Sequence, residues 1–321
     1  SDNPAQAADS VRNLVGQGAT ALVGSYLSSL TLTSSTAAEQ AKVPMISQSF
    51  VDQLTSRGYK YFFQMPPKSS TFGNASVDSF VAMSQSTGLK LKSGAVLASD
   101  DASSKAQGAA AAARAAQVGI QITVNELYSA SIADMTPLVS KVRAAKPDIV
   151  FFAGPVQPTI LFARTLRSLG DKTPINGVGG GGILDVSFPK ALGAAADGVF
   201  ALCAWNWDMK QPGVSDVVSR YNSKFKVPFM PQEAGESYIA AWIIAAALEK
   251  TKANDPQKIR DAISGLSFTG SQKVAQLWTG KHLKFDSTGM ATNYPLTVEY
   301  KDGKPHTVWP KSNQTLKPFF S

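Results

Sequence analysis

Residues 94–126 read GAVLASDDASSKAQGAAAAARAAQVGIQITVNE, and this stretch decides the fold. Gly94 to Ala98 is a short apolar run of strand length. Ser104 to Gln117 is alanine-rich and free of proline, so it favours helix, and after Gly119 the residues Ile120 to Glu126 alternate apolar with polar side chains as a strand does. A helix between two strands so closely spaced is a crossover, and it predicts that the strands pair in parallel.

The same alternation extends in both directions. On the amino side, Asp2-Asn3-Pro4 is a helix start, Val11, Leu14 and Val15 follow at helical spacing, and Gly18 ends the helix. Ala21 to Val23 is then a short strand, Ser29 to Ala41 a helix and Val43 to Ser47 a second strand. On the carboxyl side come helix Met135 to Ala145, strand Asp148 to Ala153, helix Gln157 to Leu169, and strands Pro174 to Val178 and Gly198 to Ala204. Repeated units of this kind predict an α/β protein whose parallel sheets are flanked by helices on both faces. After Trp207 three helical segments follow, Val214 to Lys226, Gln232 to Lys250 and Pro256 to Gly265. The end of the chain turns to β: Leu283 to Phe285, Leu296 to Tyr300, an Asp302-Gly303 hairpin turn and His306 to Trp309.

A chain of 321 residues exceeds one ordinary core and predicts two domains. With 44% hydrophobic and 17% charged residues it has material for both. Lys and Arg outnumber Asp and Glu by 31 to 23, but they are scattered and form no basic stripe, which argues against a nucleic-acid partner. The single Cys203 excludes an internal disulfide and reads as a small buried hydrophobe. No stretch reaches the length of a membrane span, and the residues at Ser1 are not those of a signal peptide.

Polar loops at strand ends are the candidate binding elements. Gly24 to Ser29, with Tyr26, Ser28 and Ser29, joins a strand to a helix amino terminus, where free N–H groups and the helix dipole favour an anion; serine there is also a simple helix cap. Ser47 to Val51, with Ser49, Phe50 and Val51, and Ser99 to Ser104, with Ser103, occupy the same kind of position. In open α/β sheets ligands sit beyond the carboxyl ends of strands, so these loops are expected to converge on one cleft. Gly177 to Gly182 formally satisfies the dinucleotide fingerprint, yet Asp197 precedes the next strand instead of ending it, and the loop reads equally as a backbone-lined approach to a ligand or a flexible turn. Trp205 and Trp207 share one side of a strand end, available either to stack on a ligand or to pack. His282 and His306 have no metal spacing, and Ser223 and Lys224 lie on a charged helix without the companion motifs of a nucleophile; no enzyme, metal or cofactor is predicted.

Several segments, taken in order, resemble the leucine/isoleucine/valine-binding-protein family of type I periplasmic binding proteins: Asn3-Pro4-Ala5-Gln6-Ala7, Ala21 to Ser29, Val43-Pro44-Met45-Ile46-Ser47, Arg57 to Phe63, Lys146-Pro147-Asp148-Ile149-Val150, Ala195 to Val199 and Phe285-Asp286-Ser287-Thr288-Gly289. The resemblance implies two Rossmann-like lobes joined by three crossover segments, lobe I from 1–90 plus 213–290 and lobe II from 91–212 plus 291–321. It also implies a monomeric receptor, in the periplasm or tethered outside the membrane, that closes on a small molecule and delivers it to an ABC permease in the inner membrane. The family ordinarily opens with a strand, a helix and a strand before the Asp-Pro helix start, which here stands at residue 2, so about fifty residues are expected to be absent.

Position by position, the resemblance places the carboxylate-holding loop on Ser28 and Ser29 and the next contacts on Ser49, Phe50 and Val51, where a hydroxyl common at the last position is replaced. The aromatic residues that close an amino-acid pocket fall on Ser103 and near Val156, and the acidic partner of an ammonium group falls on Gly179, beside Gly180. A buried ammonium without a counter-charge is costly. The expected ligand is therefore a carboxylate-bearing molecule larger than leucine, such as an aromatic or other organic acid, in preference to a classical α-amino acid. Two alternatives stand beside this reading: a cytoplasmic ligand-sensing regulator on the same fold, and a nucleotide-dependent enzyme using Gly177 to Gly182.

Overall fold

Asn3 caps the first helix, its side-chain oxygen accepting from the N–H groups of Ala5 and Gln6, with Pro4 in the first turn where its missing N–H costs nothing. The computed structural model describes residues 3–179, 181–280 and 282–320. In chain order these form α1 (Pro4–Gly16), β1 (Leu22–Val23), α2 (Ser28–Ala41), β2 (Met45–Ser47), β3 (Phe62–Gln64), α3 (Ser69–Thr87), β4 (Ser93–Ser99), α4 (Ala102–Gln117), β5 (Gln121–Tyr128) and α5 (Thr136–Ala145). There follow β6 (Ile149–Ala153), α6 (Val156–Ser168), β7 (Ile175–Gly177), α7 (Ser187–Leu192), β8 (Phe200–Cys203), α8 (Val214–Phe225), α9 (Gln232–Thr251), α10 (Pro256–Ser264), β9 (Ser267–Thr269), β10 (His282–Lys284), β11 (Leu296–Lys301) and β12 (Lys304–Trp309).

The chain divides into two compact units. Unit 1 comprises Ser1–Lys68, Gln211–Val217 and Gln232–Tyr294; unit 2 comprises Ser69–Lys210, Val218–Pro231 and Pro295–Ser321. The first boundary falls at Lys68 and not at residue 90, because α3 belongs to unit 2. The reason is close helix packing: a methyl group on Gly73 of α3 would lie 2.5 Å from both the Ala110 side chain and the Gln107 carbonyl of α4. Glycine against an alanine-rich helix lets the two backbones approach, and α3 is thereby committed to α4.

Among the described residues, unit 1 holds the parallel sheet β1-β2-β3 and the antiparallel pair β9-β10. The apolar stripe of α1 and α2 closes one cluster through Val11, Ala37, Ala38, Val43 and Met45. The loop Phe285 to Gly289 straps β3. The Asp286 carboxylate accepts from the N–H groups of Thr288 and Met290 and from the Thr288 hydroxyl, and these bonds hold it below the usual carboxylate range against the opposing effect of burial. Gly289, at a φ of 81°, presents its carbonyl to the Gln64 N–H at 2.8 Å.

Unit 2 is built on the sheet β12-β11-β8-β7-β6-β4-β5. Strands β4 to β8 pair in parallel; β11 runs antiparallel to β8 and turns through Asp302-Gly303, both at positive φ, into β12. Phe80, Phe151, Phe200 and Val178 meet in its largest described core cluster. Asn176 shares their register on β7, opposite Phe151 and Phe200, and is fully buried with neither amide atom bonded among the described residues. An unsatisfied buried amide costs about 1–3 kcal/mol, whereas an apolar group of the same shape does not. Asn176→Leu is therefore expected to raise stability by about 1–3 kcal/mol in a urea titration; a loss of stability would show that the amide is satisfied.

Candidate functional site

In unit 1 the candidate residues gather at the carboxyl ends of β1 and β2. Leu27 stands at the N-cap of α2 and cannot accept a hydrogen bond through its side chain, so the first-turn N–H groups have no side-chain cap. Ser28 opens the helix, and its hydroxyl lies 2.9 Å from that of Ser49. A relay fixes this pair: the Ser49 N–H donates to Ser47 Oγ, which donates to the Ser25 carbonyl, and that carbonyl also accepts from Thr31 Oγ1. Ser28 and Ser49 are buried, while Ser29 is exposed. Tyr26 meets Phe50 edge to face, with ring centroids 5.6 Å apart. The next residue, Val51, packs with Leu54 and Phe62, so its side chain serves the core.

One member of this loop was not foreseen. Gln48 is 3% exposed and its amide nitrogen donates to no described residue. Its sequence signal is weak, being one polar residue between the two serines Ser47 and Ser49.

In unit 2 the corresponding strand ends are those of β4, β6 and β7. Asp101 caps α4 through the Ser104 N–H, and Asp100 accepts from the Ala130 N–H, so neither carboxylate is free of structural duty. Ser103 Oγ lies 3.1 Å from Ser69 Oγ and accepts from the Gln107 amide at 3.4 Å. That amide occupies the space beside Gly179: a methyl group added there would fall 2.0 Å from Gln107 Nε2. The structure thus joins Ser103 and Gly179 through Gln107, a residue legible in retrospect because it stands one helical turn after Ser103. Val156 begins α6 behind Pro155, again without a side-chain cap. Gly180 lies outside the described residues.

Burial and connectivity bear on the tryptophans and on the glycine loop. Trp205 is 1% exposed, which fits its packing reading. Trp207, partly exposed, donates its indole N–H to the Pro305 carbonyl at 2.7 Å and lies edge-on to His306. The glycine loop does not open a helix as the dinucleotide motif requires, since the next one starts only at Ser187.

The remaining chemistry-bearing residues have structural partners. His282 Nε2 bonds the Ser267 hydroxyl, and the His306 ring lies 3.7 Å from Asp208, its pKa held down by burial. Cys203 is buried, and Ser223 and Lys224 are exposed on α8. Among the described residues no group of three or more His, Cys, Asp or Glu could hold a metal ion, and no helix is long and apolar enough to cross a membrane.

Comparison with known proteins agrees with this architecture. The chain is 24% identical to Leu/Ile/Val-binding protein homolog 8 of Brucella abortus, over 97% of this chain and 79% of that protein. Its fold is similar to that of a leucine binding protein LivK from Thermotoga maritima, with a TM-score of 0.80 at 19% identity, covering 95% of this chain and 84% of that one. It is equally similar to an ABC transporter solute binding protein from R. palustris in complex with benzoate, with a TM-score of 0.81 at 16% identity over 95% and 81% of the two chains. A family model described as periplasmic binding protein matches residues 1–304. Polar strand ends in two α/β units, and a match that runs through both of them, lead to one conclusion: the chain belongs to the periplasmic binding protein family.

Proposed function

We propose that this protein is the extracytoplasmic solute receptor of an ABC importer, that it works as a binding protein without catalysing a reaction, and that its solute is a carboxylate-bearing organic acid. The observation that carries the reading is the Ser28–Ser49 hydroxyl pair at the uncapped start of α2. Two rotatable hydroxyls and first-turn N–H groups together can donate to both oxygens of a carboxylate, and the helix dipole adds to the attraction. The second support is negative: at Gly179 there is no acid to pair with an ammonium group, and the neighbouring space holds the neutral Gln107 amide. Benzoate in the R. palustris relative shows that a protein of this fold takes an aromatic carboxylate.

The proposed mechanism is hinge closure. The solute stabilises the closed form by its differential affinity for it, and the permease reads that form. A monomer in the periplasm, or tethered outside the membrane, suffices.

Calorimetric titration of leucine, isoleucine, benzoate and phenylacetate tests the ligand class. Saturable binding of an aromatic acid with no response to leucine is expected; tight leucine binding with silence toward the acids would refute the carboxylate proposal. The pair itself is tested by Ser28→Ala with Ser49→Ala. Removing both partners of one hydrogen bond leaves no orphaned group, so the fold should hold, while loss of two charge-assisted donors should weaken binding about tenfold to a hundredfold. Undiminished affinity in the double variant would move the carboxylate elsewhere.

A further inference from the structure

Unit 1 carries a polar recess at the opposite end of its sheet from Ser28 and Ser49. Lys42 closes α2 just ahead of β2, Lys60 directly precedes Tyr61 and β3, and Gln257 and Arg260 belong to the start of α10. With Glu39 and Tyr61 these residues line a recess of about 570 Å³ that opens to solvent. Small-molecule sites span roughly 300–1,000 Å³.

Its charge is unbalanced in a particular way. The Glu39 carboxylate is committed to the backbone, accepting from the N–H groups of Lys60 at 3.0 and 3.1 Å and of Tyr61 at 2.8 Å. Asp261, at the margin, accepts from the Gln257 amide at 2.9 and 3.0 Å and from Arg260 at 2.6 Å. Gln257 also accepts from the Tyr61 hydroxyl, so the floor of the recess is fixed. Arg260 is held in place by Nε donating to the Lys60 carbonyl at 2.8 Å and by its position over the Tyr61 ring. Neither the Lys42 nor the Lys60 ammonium meets a carboxylate among the described residues. A lysine at the carboxyl end of a helix is favoured by the dipole alone, which would account for Lys42. It does not account for Lys60, which arrives at the same hollow from the turn before β3, where Arg260 of α10 is held by Asp261 and the Lys60 carbonyl.

We propose that this recess is an anion site for a phosphate group, with Lys42 and Lys60 as the mobile charges and Arg260 as the oriented donor. Three cations from separate elements around a concave surface suit a compact dianion better than a single carboxylate, and an arginine held at Nε presents a planar donor face. The volume leaves room for an organic body on the phosphate. The site is separate from the carboxylate site proposed above and does not depend on it.

The test uses the whole chain, with inorganic phosphate and a phosphate monoester such as glycerol 3-phosphate as probes, titrated against chloride at matched ionic strength and followed by phosphorus-31 line broadening. Saturable binding of either probe is expected, weakened at least about tenfold by Lys42→Gln with Lys60→Gln while the melting temperature stays constant. Tighter binding of the monoester would identify an organic phosphate as the occupant; equal binding would identify the free ion. Lys60→Gln alone, an exposed substitution, should weaken binding in the same direction should the double variant prove unstable. No saturable binding of either probe, or binding unchanged in the lysine variants, overturns the proposal.

Discussion

Gly289→Ala is expected to destabilise unit 1 by about 3 kcal/mol or more, measured as a fall in the urea midpoint. Two costs combine. At a φ of 81° an alanine is strained, and its methyl group would lie 2.1 Å from the Phe62 carbonyl oxygen. That oxygen is backbone within β3 and cannot swing aside. Relief requires Gly289 to retreat, which breaks its hydrogen bond to the Gln64 N–H and disturbs the partner bond from the Ala291 N–H to the Gln64 carbonyl. Gly303→Ala separates the terms, since Gly303 has a φ of 73° with nothing within 4 Å of an added methyl group. There the backbone cost alone should appear, about 1 kcal/mol. Equal effects at the two positions would show that the approach to β3 is not the cause.

Glu299→Gln is expected to flatten the dependence of stability on pH. Glu299 is buried on β11, where its two oxygens accept from the N–H groups of Phe319 and Phe320, each at 3.1 Å, and so hold the end of the chain against the core that Phe320 shares with Phe80 and Phe200. Burial raises its pKa from 4.5 to about 7, more than the two N–H bonds lower it, and the nearby Asp197 charge adds to the rise. In the unfolded chain the carboxyl titrates near its ordinary value. Below about pH 4.5 both states carry the proton and the native state bears no penalty. Between there and about pH 7 only the unfolded chain releases it, so stability falls as pH rises and levels off above about 7, a loss on the order of 3 kcal/mol. Glu236, fully buried with its pKa also raised by burial, contributes in the same direction to both proteins and cancels in the comparison. Denaturation at about pH 5 and about pH 8 should show a smaller difference in the glutamine variant. The same difference in both proteins would place the titration elsewhere.

Much of this fold is legible in the residues because local and global preferences agree. Strand β4, helix α4 and strand β5 announce themselves through an apolar run, an alanine-rich run and an alternation, and all three form within a few residues of the expected limits. Helix α3 and strand β3 do not. Phe62-Phe63-Gln64 is too short to show a period, and α3 mixes serine with apolar residues even on its buried side, where Ser76 and Ser79 turn their hydroxyls onto the Gly73 and Ser76 carbonyls. The limit at residue 90 that the resemblance implies therefore lies beyond the division at Lys68.

The candidate loops are legible for a different reason. Serines just past a strand end are conspicuous; Ser28 opens a helix and Ser49 follows β2, and the structure pairs their hydroxyls. A strand end does not determine which way a side chain faces, and Trp205 and Val51 are buried. Gln107 escaped notice because its importance depends on what lies across from it, which no local pattern encodes.

The Gln107 amide beside Gly179 is a movable wall. Any side chain introduced at position 179 would meet that amide before anything else and lift it from Ser103, at small cost because the amide is the far end of a flexible side chain. A change of residue at 179 therefore reaches Ser103 through Gln107, without either of them being replaced.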